Sequence, residues 1–538
     1  MKSLLEVADL TIQVGNETLV SQVHFSVFPG ECTAIVGESG SGKTLSCMTL
    51  LQLNPIQFNY PSGSLLFDVS IAQNTTPFSP DHAALKDLRG RKIGMIFQEP
   101  MSALNPTMKV GKQVAEGIIT HLHLSEEEAK KKVISLFEEV KIPDPINAFE
   151  KYPHEMSGGQ RQRVMIALAL SCDPLIIIAD EPTTALDVSV QKAVLSLLKE
   201  IQSKRGIGLI FISHDLAVVK DIAHHVYVMQ KGKVVESGNA SSVLENPQHP
   251  YTQGLLACRP HGKKRGERLF TLNEIRQEKV SSSSKKSDEI ILAVKNLHKQ
   301  YDRFLAVNPL SFEIFKGETL GLIGESGCGK TTLSRMLMGL LPMSSGEIFW
   351  KNQLLTRPDL PFAKVHRKKI QMIFQDPFAS LNPKLTIQEI LTEPMQIHGI
   401  GSNASHRKEL AMQWLDKVGM PNPADCLAKY PHHFSGGQRQ RVVIARALAC
   451  EPELIICDES VAALDVSVQA QVLNLLNDLK AELSLTYLFI SHDLHVVKYM
   501  ADRVMVMQKG RIVEIGEADE VFENPKNDYT KSLLASVI

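Results

Sequence analysis

Residues 37–44 read GESGSGKT and residues 324–331 read GESGCGKT. Each stretch follows a short apolar run (32–36 and 319–323) and precedes a helical pattern (45–51 and 333–341). The apolar runs read as buried strands. A strand, then Gly-x-x-x-x-Gly-Lys-[Ser/Thr], then a helix make a phosphate-binding loop. In it Gly37, Ser39, Gly40 and Gly42, and likewise Gly324, Ser326, Gly327 and Gly329, let backbone N–H groups curl around phosphate oxygens. The helix N-terminus adds a favourable dipole. Lys43 and Lys330 are expected to reach the β and γ phosphates of a nucleoside triphosphate, and the hydroxyls of Thr44 and Thr331 to hold Mg²⁺.

Working outward, the whole chain is one unit written twice. IFQEPMSALNP (96–106) returns as IFQDPFASLNP (373–383), and SGGQRQRV (157–164) returns unchanged at 435–442. ALDVSVQ recurs at 185–191 and 463–469, FISHDL at 211–216 and 489–494, and ENPQHPYTQGLLA (245–257) returns as ENPKNDYTKSLLA (523–535). The order never changes. The first copy is longer between its loop lysine and its glutamine, around a polar loop at 72–83. Each copy is the size of a full domain, so this is domain duplication rather than a solenoid. The expected division is a first domain at 1–260, a flexible polar linker at 261–288 with a run of four serines, and a second domain at 289–538.

Composition sets outer limits. The chain has 538 residues, 43% of them hydrophobic, which supplies more than one core. Net charge is −1, so no global basic field points to nucleic acid. No apolar run reaches the ~18–20 residues that span a bilayer, and the first residues lack a signal-peptide core. The expected location is therefore cytosolic. Eight cysteines are scattered without a C-x-x-C pair, which reads as reduced, mostly buried thiols.

Acidic pairs close two further apolar strands, Asp180-Glu181 after 175–179 and Asp458-Glu459 after 454–457. A strand-end Asp behind such a loop fits a second Mg²⁺ ligand, and the adjacent Glu is placed to polarise an attacking water. A third strand type, at 208–212 and 486–490, runs into Ser-His-Asp. Polar groups at the carboxyl ends of parallel strands are where α/β folds place their chemistry.

SGGQ between a phosphate loop upstream and an Asp-Glu pair downstream, five motifs in order and twice over, resembles the ABC ATPases nearly end to end. The resemblance implies an α/β fold of two P-loop NTPase domains, each with a mainly parallel core sheet, an antiparallel β subdomain and a helical signature subdomain. It implies ATP hydrolysis with Mg²⁺ at two composite sites in an intramolecular dimer of the halves. Ser157, Gly159 and Gln160 would cap the nucleotide on Lys330, and Ser435, Gly437 and Gln438 the one on Lys43. The helix N-terminus at SGGQ suits a γ-phosphate. Glu181 and Glu459 would be general bases, Gln98 and Gln375 would contact Mg²⁺ or water and sense the partner, and His214 and His492 would contact the γ-phosphate. Tyr301 matches the adenine-stacking aromatic of the family, whereas the aligned first-half residue is Val14. The thiol of Cys328, in the second loop, is expected to have a lowered pKa beside backbone N–H groups; the alternative is a small loop filler, as Ser41 is in the first loop.

The NPxHPYTxxLL tail, clean at 246–256 and degraded at 526–528, looks like the peptide/nickel-importer branch. That branch implies an ATPase on the cytoplasmic face of the inner membrane, peripheral to two integral-membrane permease subunits and fed by an extracytoplasmic solute-binding protein, without nucleic acid. A soluble tandem ABC ATPase acting on ribosomes or nucleic acid is the alternative. The solute stays open between peptide, glutathione-like molecule, peptide antibiotic and nickel chelate.

Overall fold

The computed structural model describes residues 2–67, 88–183, 187–272, 287–302, 304–360, 362, 364–462 and 464–535. The expected loop at 72–83 and the serine run at 281–284 lie outside them. The chain forms two compact units. The first spans residues 1–186 and 190–256, and the second spans 257–537 together with 187–189.

In the first unit β1 (Leu5–Val14) and β2 (Glu17–Val27) pair antiparallel. β3 (Cys32–Val36) enters a second sheet, and β4 (Phe58–Phe67) returns to β1 to give the order β2-β1-β4. The second sheet adds β5 (Ile93–Ile96), β6 (Ile176–Asp180), β7 (Gly208–Ser213), β8 (His225–Gln230) and β9 (Lys233–Asn239), in the order β5-β6-β7-β3-β8-β9. Strands β5, β6, β7, β3 and β8 run parallel, and only β9 is antiparallel. Every residue of β3, β5, β6 and β7 is buried, the signature of strands covered on both faces. The β8–β9 hairpin turns on Lys231-Gly232, both at positive φ (46° and 76°), as a two-residue primed turn requires. A Cβ on Gly232 would meet the Leu19 carbonyl oxygen at 2.1 Å, so this turn admits no larger residue without a shift of β2.

The helical subdomain hangs between β5 and β6. It comprises Val110–Leu122, Glu126–Glu139, Pro145–Phe149 and the signature helix Gly158–Leu170. Its second helix starts on a capping box in which Ser125 and Glu128 bond reciprocally.

The second unit repeats this plan. β10 (Ile290–Tyr301), β11 (Phe304–Phe315), β13 (Ser345–Trp350) and β14 (Gln353–Thr356) form the antiparallel sheet β11-β10-β13-β14. β12 (Thr319–Ile323), β15 (Ile370–Ile373), β16 (Leu454–Asp458), β17 (Thr486–Ile490), β18 (Arg503–Gln508) and β19 (Arg511–Glu517) form β15-β16-β17-β12-β18-β19. Its helical subdomain comprises Ile387–Ile397, Ala404–Lys417, Pro423–Leu427 and the signature helix Gly436–Leu448.

The reading of 261–288 as a flexible tether is corrected over its first twelve residues. Residues 261–272 lie on the second unit as a strap. Leu269 is buried in that unit's core, as is Cys258. Its backbone is clasped by one side chain: Leu269 N–H donates to Asn474 Oδ1 at 3.0 Å, and Asn474 Nδ2 donates to the Leu269 carbonyl at 2.9 Å. Arg268 pairs with Asp478 at 2.9 Å, Tyr499 Oη donates to the Glu267 carbonyl at 2.7 Å, and Arg265 reaches Asp502 and Asp519. The charge that reads as solvation in the sequence is spent on ion pairs with the domain surface.

Candidate functional site: two phosphate-binding loops

The strand order β6-β7-β3 brings three carboxyl ends side by side, carrying Asp180-Glu181, His214 and the loop 37–44. The order β16-β17-β12 does the same for Asp458-Glu459, His492 and 324–331.

The loop glycines are needed for their backbone. Gly37, Gly40 and Gly42 have φ of 149°, 75° and 99°, and Gly324, Gly327 and Gly329 have 153°, 77° and 110°. A Cβ on Gly37 would meet the Met229 carbonyl oxygen at 2.2 Å. Lys43 is buried and folds back over its loop, its Nζ donating to the carbonyls of Gly37 (2.8 Å) and Glu38 (2.9 Å). Lys330 repeats both bonds with Gly324 and Glu325 at the same distances.

Asp180 and Asp458 are buried at the strand ends. Burial pushes the Asp180 carboxyl up to about 6 against the downward pull of the Thr44 hydrogen bond, and Asp458 is also raised, chiefly by burial. Thr44 Oγ1 donates to Asp180 Oδ1 at 3.0 Å. In the second unit that bond moves along the helix: Ser334, one turn beyond Thr331, donates to Asp458 Oδ2 at 2.9 Å. The corresponding first-half residue is Cys47, a buried thiol. Ser334 is therefore a site residue that the motif reading missed, because it lies beyond the loop pattern. Hydroxyl, carboxylate and amide oxygens make an all-oxygen donor set, which suits a small hard cation such as Mg²⁺.

Glu181 and Glu459 follow these aspartates with φ of 45° and 49°, the left-handed region that non-glycine residues rarely adopt. The turn swings each carboxylate off the strand and onto two side chains. Gln98 Nε2 donates to Glu181 Oε2 at 3.0 Å, and His214 Nδ1 lies 3.1 Å from Glu181 Oε1. Gln375 Nε2 donates to Glu459 Oε2 at 2.6 Å, and His492 Nδ1 lies 3.6 Å from the same oxygen. Burial pushes Glu459 up, but His492, Lys330 and Gln375 outweigh it and hold the carboxyl below its ordinary value. Burial likewise disfavours protonated His492, and its bond to Glu459 overrides that and raises it.

The SGGQ segments open long helices. Ser157 caps Gly158–Leu170 by accepting from Gln160 N–H, and Gln160 Oε1 accepts from Ser157 N–H in return. Ser435 and Gln438 repeat the box. Ser157 and Ser435 are exposed. Gly159 and Gly437 are required by packing, since a Cβ would meet Val190 at 2.8 Å and Val468 at 2.5 Å.

Tyr301 ends β10 and is 44% exposed, open to a flat ring, with Lys299 Nζ 4.9 Å from its centroid. Phe304, 65% exposed, is its cross-strand partner and was not singled out by the sequence. Val14 ends β1 opposite Glu17, as the repeat register requires. The expectation for Cys328 is overturned: burial raises its thiol, and Lys330 Nζ at 3.8 Å does not compensate. All eight cysteines are buried thiols outside any disulfide.

Residues 20–184 and 307–462 match the ABC transporter family, and residues 235–285 and 513–538 match the oligopeptide/dipeptide transporter C-terminal region. The chain is 43% identical to the glutathione import ATP-binding protein GsiA of Salmonella choleraesuis (strain SC-B67), over 100% of this chain and 90% of that protein. It is 43% identical to GsiA of Escherichia coli (strain K12) over 96% and 86% respectively. An archaeal ribosome recycling factor, aABCE1, solved with the ribosomal stalk protein aP1, shares the fold at 22% identity and a TM-score of 0.59, covering 94% of this chain and 88% of that one. With the ATPase module present twice, an Asp-Glu pair at the same strand end in both copies and an importer-type tail after each, the chain belongs to the ABC transporter family as a tandem ATP-hydrolysing subunit.

Proposed function

We propose that this subunit powers an importer of peptides or peptide-like solutes, glutathione among them, from the cytoplasmic face of the membrane. The observation that carries the reading is the pair of importer-type tails, at 235–285 and 513–538, on a chain whose identity to glutathione import ATPases runs end to end. Among the described residues no helix is long and apolar enough to cross a membrane. On this reading the translocation path is formed by two permease subunits, with a solute-binding protein outside. The ribosome-associated reading has only a shared fold in its favour.

Each loop takes the phosphates of one ATP, and the lysine leaves its loop carbonyls for the β and γ oxygens. Mg²⁺, when bound with ATP, would supply positive charge against the phosphates. Thr44 and Thr331 would hold it through their hydroxyls, Asp180 and Asp458 through their carboxylates, with Gln98 and Gln375 as amide neighbours. Glu181 and Glu459 accept the proton of the attacking water. His214 and His492 hold those carboxylates and meet the γ-phosphate. The segments opened by Ser157, Gly159 and Gln160 and by Ser435, Gly437 and Gln438 would each present a helix N-terminus to the γ-phosphate of a bound nucleotide.

The double variant Glu181→Gln/Glu459→Gln is expected to bind ATP with little change while steady-state hydrolysis falls about 10²- to 10⁴-fold, the usual contribution of a general base. Undiminished hydrolysis sinks the assignment. Uptake of labelled glutathione or dipeptides by proteoliposomes carrying the permeases tests the transport reading. Co-purification with ribosomes in place of membrane proteins overturns it.

A further inference from the structure

Each phosphate-binding loop is held from behind by the importer-type tail of its own unit. Tyr251 is buried in the tail helix Pro250–Ala257. Its hydroxyl accepts from Glu38 N–H at 3.2 Å and donates to Glu38 Oε2 at 3.3 Å. In the second unit Tyr529, in the helix Asp528–Ala535, accepts from Glu325 N–H at 3.1 Å. Glu38 N–H and the Gly37 carbonyl are opposite ends of one planar peptide unit. That carbonyl accepts from Lys43 Nζ at 2.8 Å, and the Gly324 carbonyl accepts from Lys330 Nζ at 2.8 Å. Phenol and lysine thus grip the two ends of a single rigid plane in both halves.

The tail is built to deliver that phenol. Glu236 on β9 accepts from the N–H groups of Gln248 (2.7 Å) and His249 (3.2 Å). Glu514 on β19 accepts from those of Lys526 (2.8 Å) and Asn527 (3.2 Å). His249 Nδ1 then accepts from Tyr251 N–H at 3.2 Å, and Asn527 Oδ1 from Tyr529 N–H at 2.9 Å. Two unlike side chains make the same turn. Between the copies Gln248-His249-Pro250 has become Lys526-Asn527-Asp528, whereas the Tyr-Thr pair that follows is unchanged. What the degraded tail keeps is the residue that reaches the loop.

We propose that Tyr251 and Tyr529 are positioning residues of the two ATP sites, setting the first peptide plane of each loop and through it the rest position of the loop lysine. The tail is then a strut of the nucleotide site as well as a family mark. The inference rests on ATP binding alone and is independent of what is transported.

The test uses the full chain carrying Tyr251→Phe/Tyr529→Phe, which removes two hydroxyls and keeps both rings. The expected result is a two- to tenfold weaker Kd for MANT-ATP, the effect of about one net hydrogen bond per site. KM for ATP should rise by the same factor with a smaller change in kcat, and the nucleotide-free protein should lose no more than a few degrees of Tm. A second readout is independent of turnover: Tyr529→Phe should speed alkylation of buried Cys328 in its own loop, mapped by mass spectrometry, and Tyr251→Phe should not. Unchanged Kd and KM overturn the proposal. So does a fall in kcat with KM unaltered, or a weaker Kd that merely follows a large loss of Tm, because a tail anchor without influence on the loop gives those results.

Discussion

Tyr301 and Val14 end equivalent strands, and one offers a ring where the other offers a branched aliphatic face. Stacking contributes roughly 0.5–1.5 kcal/mol beyond area burial, which is about a two- to tenfold difference in affinity. Lys43→Ala, which leaves the site on Lys330 intact, should therefore bind ATP more tightly than Lys330→Ala, measured by titration of both variants. Equal affinities, or the reverse order, remove Tyr301 as the cause. Protonation supplies a second prediction at this scale. His492 is raised in the folded state from its ordinary 6.5, and Glu459 is lowered from 4.5. A raised histidine stabilises fully below the unfolded pKa, and that contribution fades as pH rises through the folded one. A depressed carboxyl stabilises above its unfolded pKa, and its contribution fades as pH falls through the folded one. The pair is thus fully engaged between about pH 4.5 and 6.5. Glu459→Gln should drop the His492 pKa below its present value, since burial then acts with less opposition; a ¹³C-histidine NMR titration reads this, and an unmoved curve breaks the pairing. The positions of the strand-end carboxylates, the loop lysines and the glutamines that bond Glu181 and Glu459 were legible in the sequence because each sits at a fixed step from a strand end or a glycine loop. Ser334 was not, because its role depends on which turn of a helix faces Asp458.

At the scale of elements, the strap at 261–272 is the clearest test of how local pattern and tertiary contact differ. Its sequence is charged and contains a single deeply buried aliphatic side chain, Leu269, which composition alone cannot tell from a solvated tether. The partners that fix it are over 200 residues away: Asn474 supplies the two hydrogen bonds a neighbouring strand would make, and Tyr499 supplies a third. By the repeat register the first unit has Ser196 and Asp221 at those positions, so it lacks the clasp. Leu269→Ala should cost about 2–5 kcal/mol, the usual range for a buried leucine. Asn474→Ala, which strands a buried N–H and a carbonyl, should cost roughly 1–3 kcal/mol. Calorimetry of the whole chain should show the second unit's transition falling by about 5–10 °C for Leu269→Ala, with the first unit's transition in place. A shift confined to the first unit contradicts the assignment of the strap.

At the scale of the whole molecule, duplication made the fold readable. Strands β3, β12 and β17 occupy the spans expected of them, because an uninterrupted apolar run ending in a glycine loop or a polar triplet leaves little choice of boundary. What duplication hid was where one copy stops. The repeated tail ends at residues 257 and 535, which invites a border near 260, yet the second unit already begins at residue 257. The strap thus bears on how this chain can be divided or inherited as separate genes. A break before residue 257 keeps the strap with the unit on which it packs. A break after Leu272 hands the strap to the wrong product and leaves the second one with a bare apolar socket around Asn474. Any route by which this tandem arose from two shorter chains, or decays into them, has to carry those sixteen residues with the half they follow in space rather than the half they follow in sequence.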